Sequence, residues 1–124
     1  MSDMKHYEGT YSYTGTFKQL KDQSRLLEVT EFEYDGKYYR PSEILKFKIT
    51  PQPEEGGWLS VKCEEAGVII GGIDLEEALG NGFMMAVDQY EHLGFTDAPL
   101  TKRAQALREK FLTWEVHAID RKAQ

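Results

Sequence analysis

Two glycines flank an asparagine inside a stretch that otherwise reads as an α-helix, Asp74 to Leu93, DLEEALGNGFMMAVDQYEHL. A glycine in a helix costs about 1 kcal/mol relative to alanine, so Gly80 and Gly82 together cost about 2 kcal/mol. Such a cost persists where a second surface must come closer than a Cβ permits. Either another part of the fold lies against this helix or a ligand does. Phe83 follows directly: a core side chain in the first case, a flat ring open to stacking in the second.

The ends of this helix carry their own signals. Asp74 is an N-cap residue, and Glu77 three positions on completes a capping-box pattern. Leu75, Leu79, Phe83, Val87, Tyr90 and Leu93 recur at helical spacing, widened by Met84 and Met85. Gly94 suits the C′ position, with Phe95 making the accompanying apolar contact. Thr96-Asp97-Ala98-Pro99 then starts a second helix. Leu100, Ala104, Leu107, Phe111, Trp114 and Ala118 repeat within it in an a/d rhythm. A second row, Leu112, Val116, Ile119 and Ala123, lies beside the first and needs its own cover, for which a second copy of the chain is the simplest candidate.

Everything before residue 74 has the two-residue period of strands. Lys5 to Phe17 alternates aromatic or threonine with small polar residues, and Arg25 to Tyr34 is β-rich. Asp35-Gly36 between Tyr34 and Lys37 is a type I′ hairpin signal. Glu43 to Thr50, Trp58 to Cys63 and Val68 to Ile70 are further strands, with the loop Pro51 to Gly57 between two of them. Strands first and helices last is the α+β class. The expectation is one domain over 1–124: an N-terminal antiparallel β-meander of five to six strands (about 5–70) followed by two C-terminal α-helices (about 74–93 and 97–122).

A chain of 124 residues with 40% apolar and 12% aromatic content can bury a core. Its longest apolar run is far short of the ~20 residues that span a bilayer, and Met1-Ser2-Asp3 lacks the basic and apolar regions of a signal peptide. One cysteine, Cys63, cannot make an internal disulfide. The expected compartment is the cytoplasm. A net charge of -6 argues against a general binder of DNA or RNA duplexes. The charge is uneven, because from Ala98 onward Lys102, Arg103, Arg108, Lys110, Arg121 and Lys122 face only Glu109, Glu115 and Asp120. That end is a solvated helix face, or else it holds an anion or an acidic surface of a second copy.

No catalytic constellation emerges. His6, His92 and His117 are well separated, and no spacing of His, Cys or carboxylates matches a metal site. There is neither a nucleophile elbow nor a phosphate-binding loop of the Walker type. The expectation is therefore no enzyme, no catalytic residues, no metal and no cofactor. Ligand binding fares better. Asn81 both donates and accepts, Phe83 offers a ring, and Lys102, Arg103 and Arg108 neutralise phosphates if the last helix lies alongside.

An acidic chain of this length, with a β-meander, two terminal helices and a self-association face, resembles the phage-encoded Thoeris anti-defence proteins of the first described type. Those proteins bind the cyclic ADP-ribose isomer made by a defence enzyme and withhold it without cleaving it. Members also bind cyclic di- or trinucleotides and form dimers or higher oligomers. The resemblance implies a phage protein in the host cytoplasm that sequesters a small cyclic nucleotide as a homo-oligomer. Phe83 would stack on adenine, Asn81 and Met84 would line the pocket, and Arg103 or Arg108 would meet phosphate. Two other functions remain open: an acidic, anti-CRISPR-like inhibitor that occupies a basic groove of a host defence protein, and an α+β accessory subunit of an oligomer.

Overall fold

The computed structural model describes residues 11–119. It is an α+β fold in which a seven-stranded, curled antiparallel sheet carries two helices on one face. The strands are β1 (Tyr11–Gln19), β2 (Arg25–Tyr34), β3 (Lys37–Arg40), β4 (Leu45–Gln52), β5 (Trp58–Cys63), β6 (Val68–Gly72) and β7 (Glu115–Ala118). The helices are α1 (Leu75–Phe95) and α2 (Lys102–Phe111).

β2 organises the sheet. β1 runs beside its whole length, β4 pairs with Arg25 to Val29, and β3 pairs with Phe32 to Tyr34, so the sheet forks along one strand. The fork coincides with a bulge: Thr14 faces Glu31 and Gly15 faces Val29, leaving Thr30 over. An extra residue bends a strand and sharpens its twist. A Cβ on Gly15 would sit 2.3 Å from the Glu28 carbonyl oxygen, which is why the bend holds a glycine. The β2–β3 turn is the expected type I′, with φ of 51° at Asp35 and 82° at Gly36.

Alternation assigns the two faces. Leu45, Phe47 and Ile49 of β4, and Val61 and Cys63 of β5, are fully buried toward the helices, while Lys46, Lys48 and Lys62 project from the opposite face. The core is unusually aromatic: Phe32, Tyr39, Phe47, Phe83 and Phe111 are all fully buried, with Trp114 nearly so. No helix among the described residues is long and apolar enough to cross a membrane.

α1 starts as expected. The Glu77 N–H donates to Asp74 Oδ1 at 2.8 Å, and the Ile73 N–H donates to Glu77 Oε1 at 2.7 Å. It ends later than residue 93. Gly94 is a helical residue and not a left-handed C′ stop, and the helix closes at Thr96, whose backbone is extended.

The C-terminal segment corrects the expectation of a helix over 97–122. α2 begins only after Thr101, whose Oγ1 accepts from the Ala104 N–H at 3.1 Å, and it ends at Phe111. Residues 115–118 then form β7 against β3, with Val116 facing Tyr39 and His117 facing Tyr38. Trp114 and Ala118 fell on the helical row by coincidence of spacing. Backbone pairing with the otherwise open side of β3 outweighs local helix propensity there, and Trp114 anchors the crossing by stacking on Tyr90 at 5.6 Å and meeting Phe111 at 4.9 Å. The second apolar row is thereby dissolved: Leu112 is exposed in the turn, Val116 lies on a strand and Ala123 lies outside the described residues. The packing argument for a second copy goes with it.

Candidate functional site

The helix that was expected to seat a ligand is filled by its own fold. Gly80 and Gly82 are buried, and a Cβ on Gly82 would lie 3.3 Å from Val61 Cγ1 and 3.5 Å from the Phe47 ring. From the sheet side, Gly72 faces the first turn of α1 so closely that a Cβ there would come within 2.5 Å of the Ala78 nitrogen. The glycines permit close helix–sheet packing.

Phe83 is 0% exposed, enclosed by the rings of Phe32 at 4.8 Å, Phe47 at 5.1 Å, Tyr11 at 5.4 Å and Tyr13 at 5.7 Å. It presents no face to a base, and the stacking role expected for it does not hold. Asn81 donates from Nδ2 to the Gly71 carbonyl at 2.9 Å, tying α1 to β6. Met84 borders a hollow of about 280 Å³ where Asp35, Asp88 and Glu91 outnumber the single Lys37, a net negative wall that is wrong for phosphate. Arg103 borders a separate hollow of about 180 Å³ beside Leu107 and Lys110, whereas Lys102 is exposed and Arg108 half-buried on α2. The six residues expected to form one site, Asn81, Phe83, Met84, Lys102, Arg103 and Arg108, are thus dispersed over the core, a sheet contact, two hollows and the surface of α2.

Among the described residues no group of three or more His, Cys, Asp or Glu side chains is placed to hold a metal ion. His117 packs against Tyr38 with ring centres 4.8 Å apart, and His6 lies outside the described residues. Burial, assisted by the Glu65 carboxylate, pushes the Cys63 thiol up to about 12, so it is no nucleophile near neutral pH.

A roomier concavity lies elsewhere, on the outer face of β4 and β5. It has a volume of about 580 Å³ and is lined by Lys46, Lys48, Lys62, Glu64, Glu65, Thr50, Ser60 and Leu26. Register explains the convergence. Lys48 stands directly opposite Lys62, with Leu26 next to Lys48 on one side and Ile69 next to Lys62 on the other. One step along the strands, Thr50 faces Ser60 and Ser60 faces Gly71; one step further, Gln52 faces Trp58. Like charges directly opposed on neighbouring strands cost roughly 0.2–1 kcal/mol. Acids are interspersed with these lysines: Glu28 stands opposite Lys46 and pairs with Lys18 at 3.1 Å, Asp22 reaches Lys48 at 3.2 Å and Glu64 reaches Lys62 at 3.6 Å, the last four side chains being about half exposed or more. The Glu65 carboxylate is turned to the chain itself, accepting from the Lys46 N–H at 3.1 Å and the Cys63 S–H at 3.5 Å.

Beside the lysines is an apolar margin. Trp58 lies over Gly71, where a Cβ would meet the indole at 2.8 Å, and it remains 44% exposed. Ile69 is 72% exposed and Ile73 68%. The signal for the lysines was present in the sequence as alternation, since Lys46 and Lys48 interleave with Leu45, Phe47 and Ile49. Their meeting with Lys62 depended on strand register, which alternation does not supply. No protein-family model, no curated protein and no solved structure matches this chain.

Proposed function

We propose that this chain is a non-catalytic binding protein whose working surface is the outer face of β4, β5 and β6, and that its role is to occupy a protein partner. One observation carries the reading: Lys48 and Lys62 stand opposed in register on an exposed face, with the largely exposed Ile69 next to Lys62 and the half-exposed Trp58 further along β5. Exposed aromatic and aliphatic side chains rimmed by polar groups mark surfaces that bind other proteins. An inhibitor of a host defence protein, one of the functions left open by the sequence, fits this surface. The contact would run through the Lys48–Lys62 pair and not through the acidic body of the chain.

A second reading keeps the sequestration implied by the resemblance to Thoeris anti-defence proteins and moves the ligand. A concavity near 580 Å³ is of small-molecule size, three lysines line it, and Trp58 is two residues along β5 from Ser60. A cyclic nucleotide would then bind at Lys48 and Lys62, far from the buried ring of Phe83. Its openness to solvent is the weakness of this reading, because tight capture of a small anion calls for enclosure.

Lysine-reactive footprinting in host lysate, read by mass spectrometry, tests the surface. Lys46, Lys48 and Lys62 become protected relative to the isolated protein. If they stay reactive while lysines of α2 are shielded, the outer face is not the working surface. Calorimetry with a panel of cyclic nucleotides separates the two ligands: micromolar or tighter binding that Lys48→Gln/Lys62→Gln abolishes selects the nucleotide.

A further inference from the structure

We infer that the partner segment seated on this face is acidic, with one or two large apolar side chains at one end. This rests on the outer face being the working surface and adds the chemistry of its occupant. The face is directional. Its centre, over β4 and β5, holds the opposed Lys48 and Lys62 with Lys46 facing Glu28, and toward β6 it holds Ile69 next to Lys62 and the exposed part of Trp58 over Gly71, with Ile73 directly after the strand. Carboxylates seated between Lys48 and Lys62 relieve the repulsion of that cross-strand pair. Asp22 and Glu64 do not prevent this, since ion pairs exposed to solvent hold weakly and exchange for a better-placed acid.

The apolar end decides between a protein and a phosphate chain. A phosphate chain has nothing to set against two isoleucines roughly 70% exposed, and the cavity is lined by lysines without an arginine fork. Leucine, isoleucine or phenylalanine from a partner removes Ile69 and Ile73 from water and lies in the shallow place where Trp58 crosses Gly71. The charge contrast also sets orientation, because reversing the segment would put carboxylates over the isoleucines.

The test uses the full-length chain and a displayed library of random dodecapeptides. Selected peptides are enriched in Asp and Glu with an adjacent large apolar residue. One synthetic representative is measured by fluorescence polarisation against the wild type, Lys48→Gln/Lys62→Gln and Ile69→Ser/Ile73→Ser, all at exposed positions where circular dichroism confirms folding. Each double variant weakens binding by about tenfold or more, and raising salt weakens the wild type further. Failure to select any peptide, or selection of peptides without acids, overturns the inference. Binding that the lysine variant loses, the isoleucine variant keeps and inorganic tripolyphosphate displaces also overturns it, leaving an anion seat on the same face. A wild-type dimer broken by the lysine variant names a second copy as occupant and overturns it equally. Peptides whose contacts map to α2 or to the hollow beside Met84 sink both this inference and the choice of surface.

Discussion

Asn81 Nδ2 donates to the carbonyl oxygen of Gly71 at 2.9 Å, so the polar residue between the two helix glycines is spent on the last strand of the sheet. Gly82 beside it lets α1 settle against Val61 and Phe47, and Asn81 then fixes the helix to β6. Replacing Asn81 by alanine removes one hydrogen bond, worth about 1 kcal/mol, but gains about half of that in helix propensity. The expected net loss is about 0.5 kcal/mol by urea denaturation, with ligand binding on the outer face unchanged. A loss of binding at full stability would return Asn81 to the functional site.

The two kinds of glycine on this helix and its approach respond oppositely to alanine. At Gly72 a Cβ would come within 2.5 Å of a backbone nitrogen of α1, which has nowhere to go. Gly72→Ala is expected to cost about 2 kcal/mol or more, the scale of overpacking. At Gly94 nothing lies within 4 Å and the backbone is helical, so Gly94→Ala is expected to gain about 0.5–1 kcal/mol. Thermal melts of the two variants should move to opposite sides of the wild type.

Phe83→Ala opens a hole among four aromatic rings in a fully buried site. The expected cost is about 3–5 kcal/mol, enough to unfold a marginal domain. The readout is stability, by chemical denaturation. A variant that melts like the wild type yet loses a nucleotide ligand would contradict the buried position of this ring.

Alkaline pH probes the core from another direction. Burial, with Glu65 second, raises Cys63 from 9.0 to about 12, and burial, with Glu91 second, raises Tyr39 from 10.0 to about 12. The folded chain keeps these protons where the unfolded chain has lost them, so stability is full below about pH 9 and falls as pH rises toward 12. The Cys63 share of the slope is about 1.4 kcal/mol per pH unit within that window. Cys63→Ala should flatten the decline between pH 9 and 11 in urea titrations. An unchanged slope would mean that the thiol is not held protonated by the fold.

The local signals in the sequence were readable because each is satisfied within a few residues. Asp35-Gly36 needs only positive φ, and Asp74 needs only the N–H of Glu77. The end of the chain was not readable from its own spacing. Trp114 and Ala118 fit a helical row as well as they fit a crossing and a strand, and the choice was made by β3, which supplies the pairing partner for 115–118. The glycine signal was sound as evidence of close approach and silent on what approached. The candidate site was the least legible part, because Lys48 and Lys62 meet only once β4 and β5 are in register.

Lys62 gives the clearest separation of fold from function. Threonine there removes one of two opposed ammonium groups, a relief of roughly 0.2–1 kcal/mol, and has the better strand propensity. It also removes the Lys62–Glu64 pair at 3.6 Å, whose exposed side chains make it worth about 0–1 kcal/mol. The two nearly cancel and strand propensity tips the sum, so Lys62→Thr is expected to be about as stable as the wild type, while its affinity for an acidic peptide falls. A lysine kept for the fold would show the reverse, with stability falling and affinity holding. Urea denaturation and peptide titration on the same preparation decide between the two, since only a residue retained for a partner makes the protein weaker as a binder and no weaker as a fold.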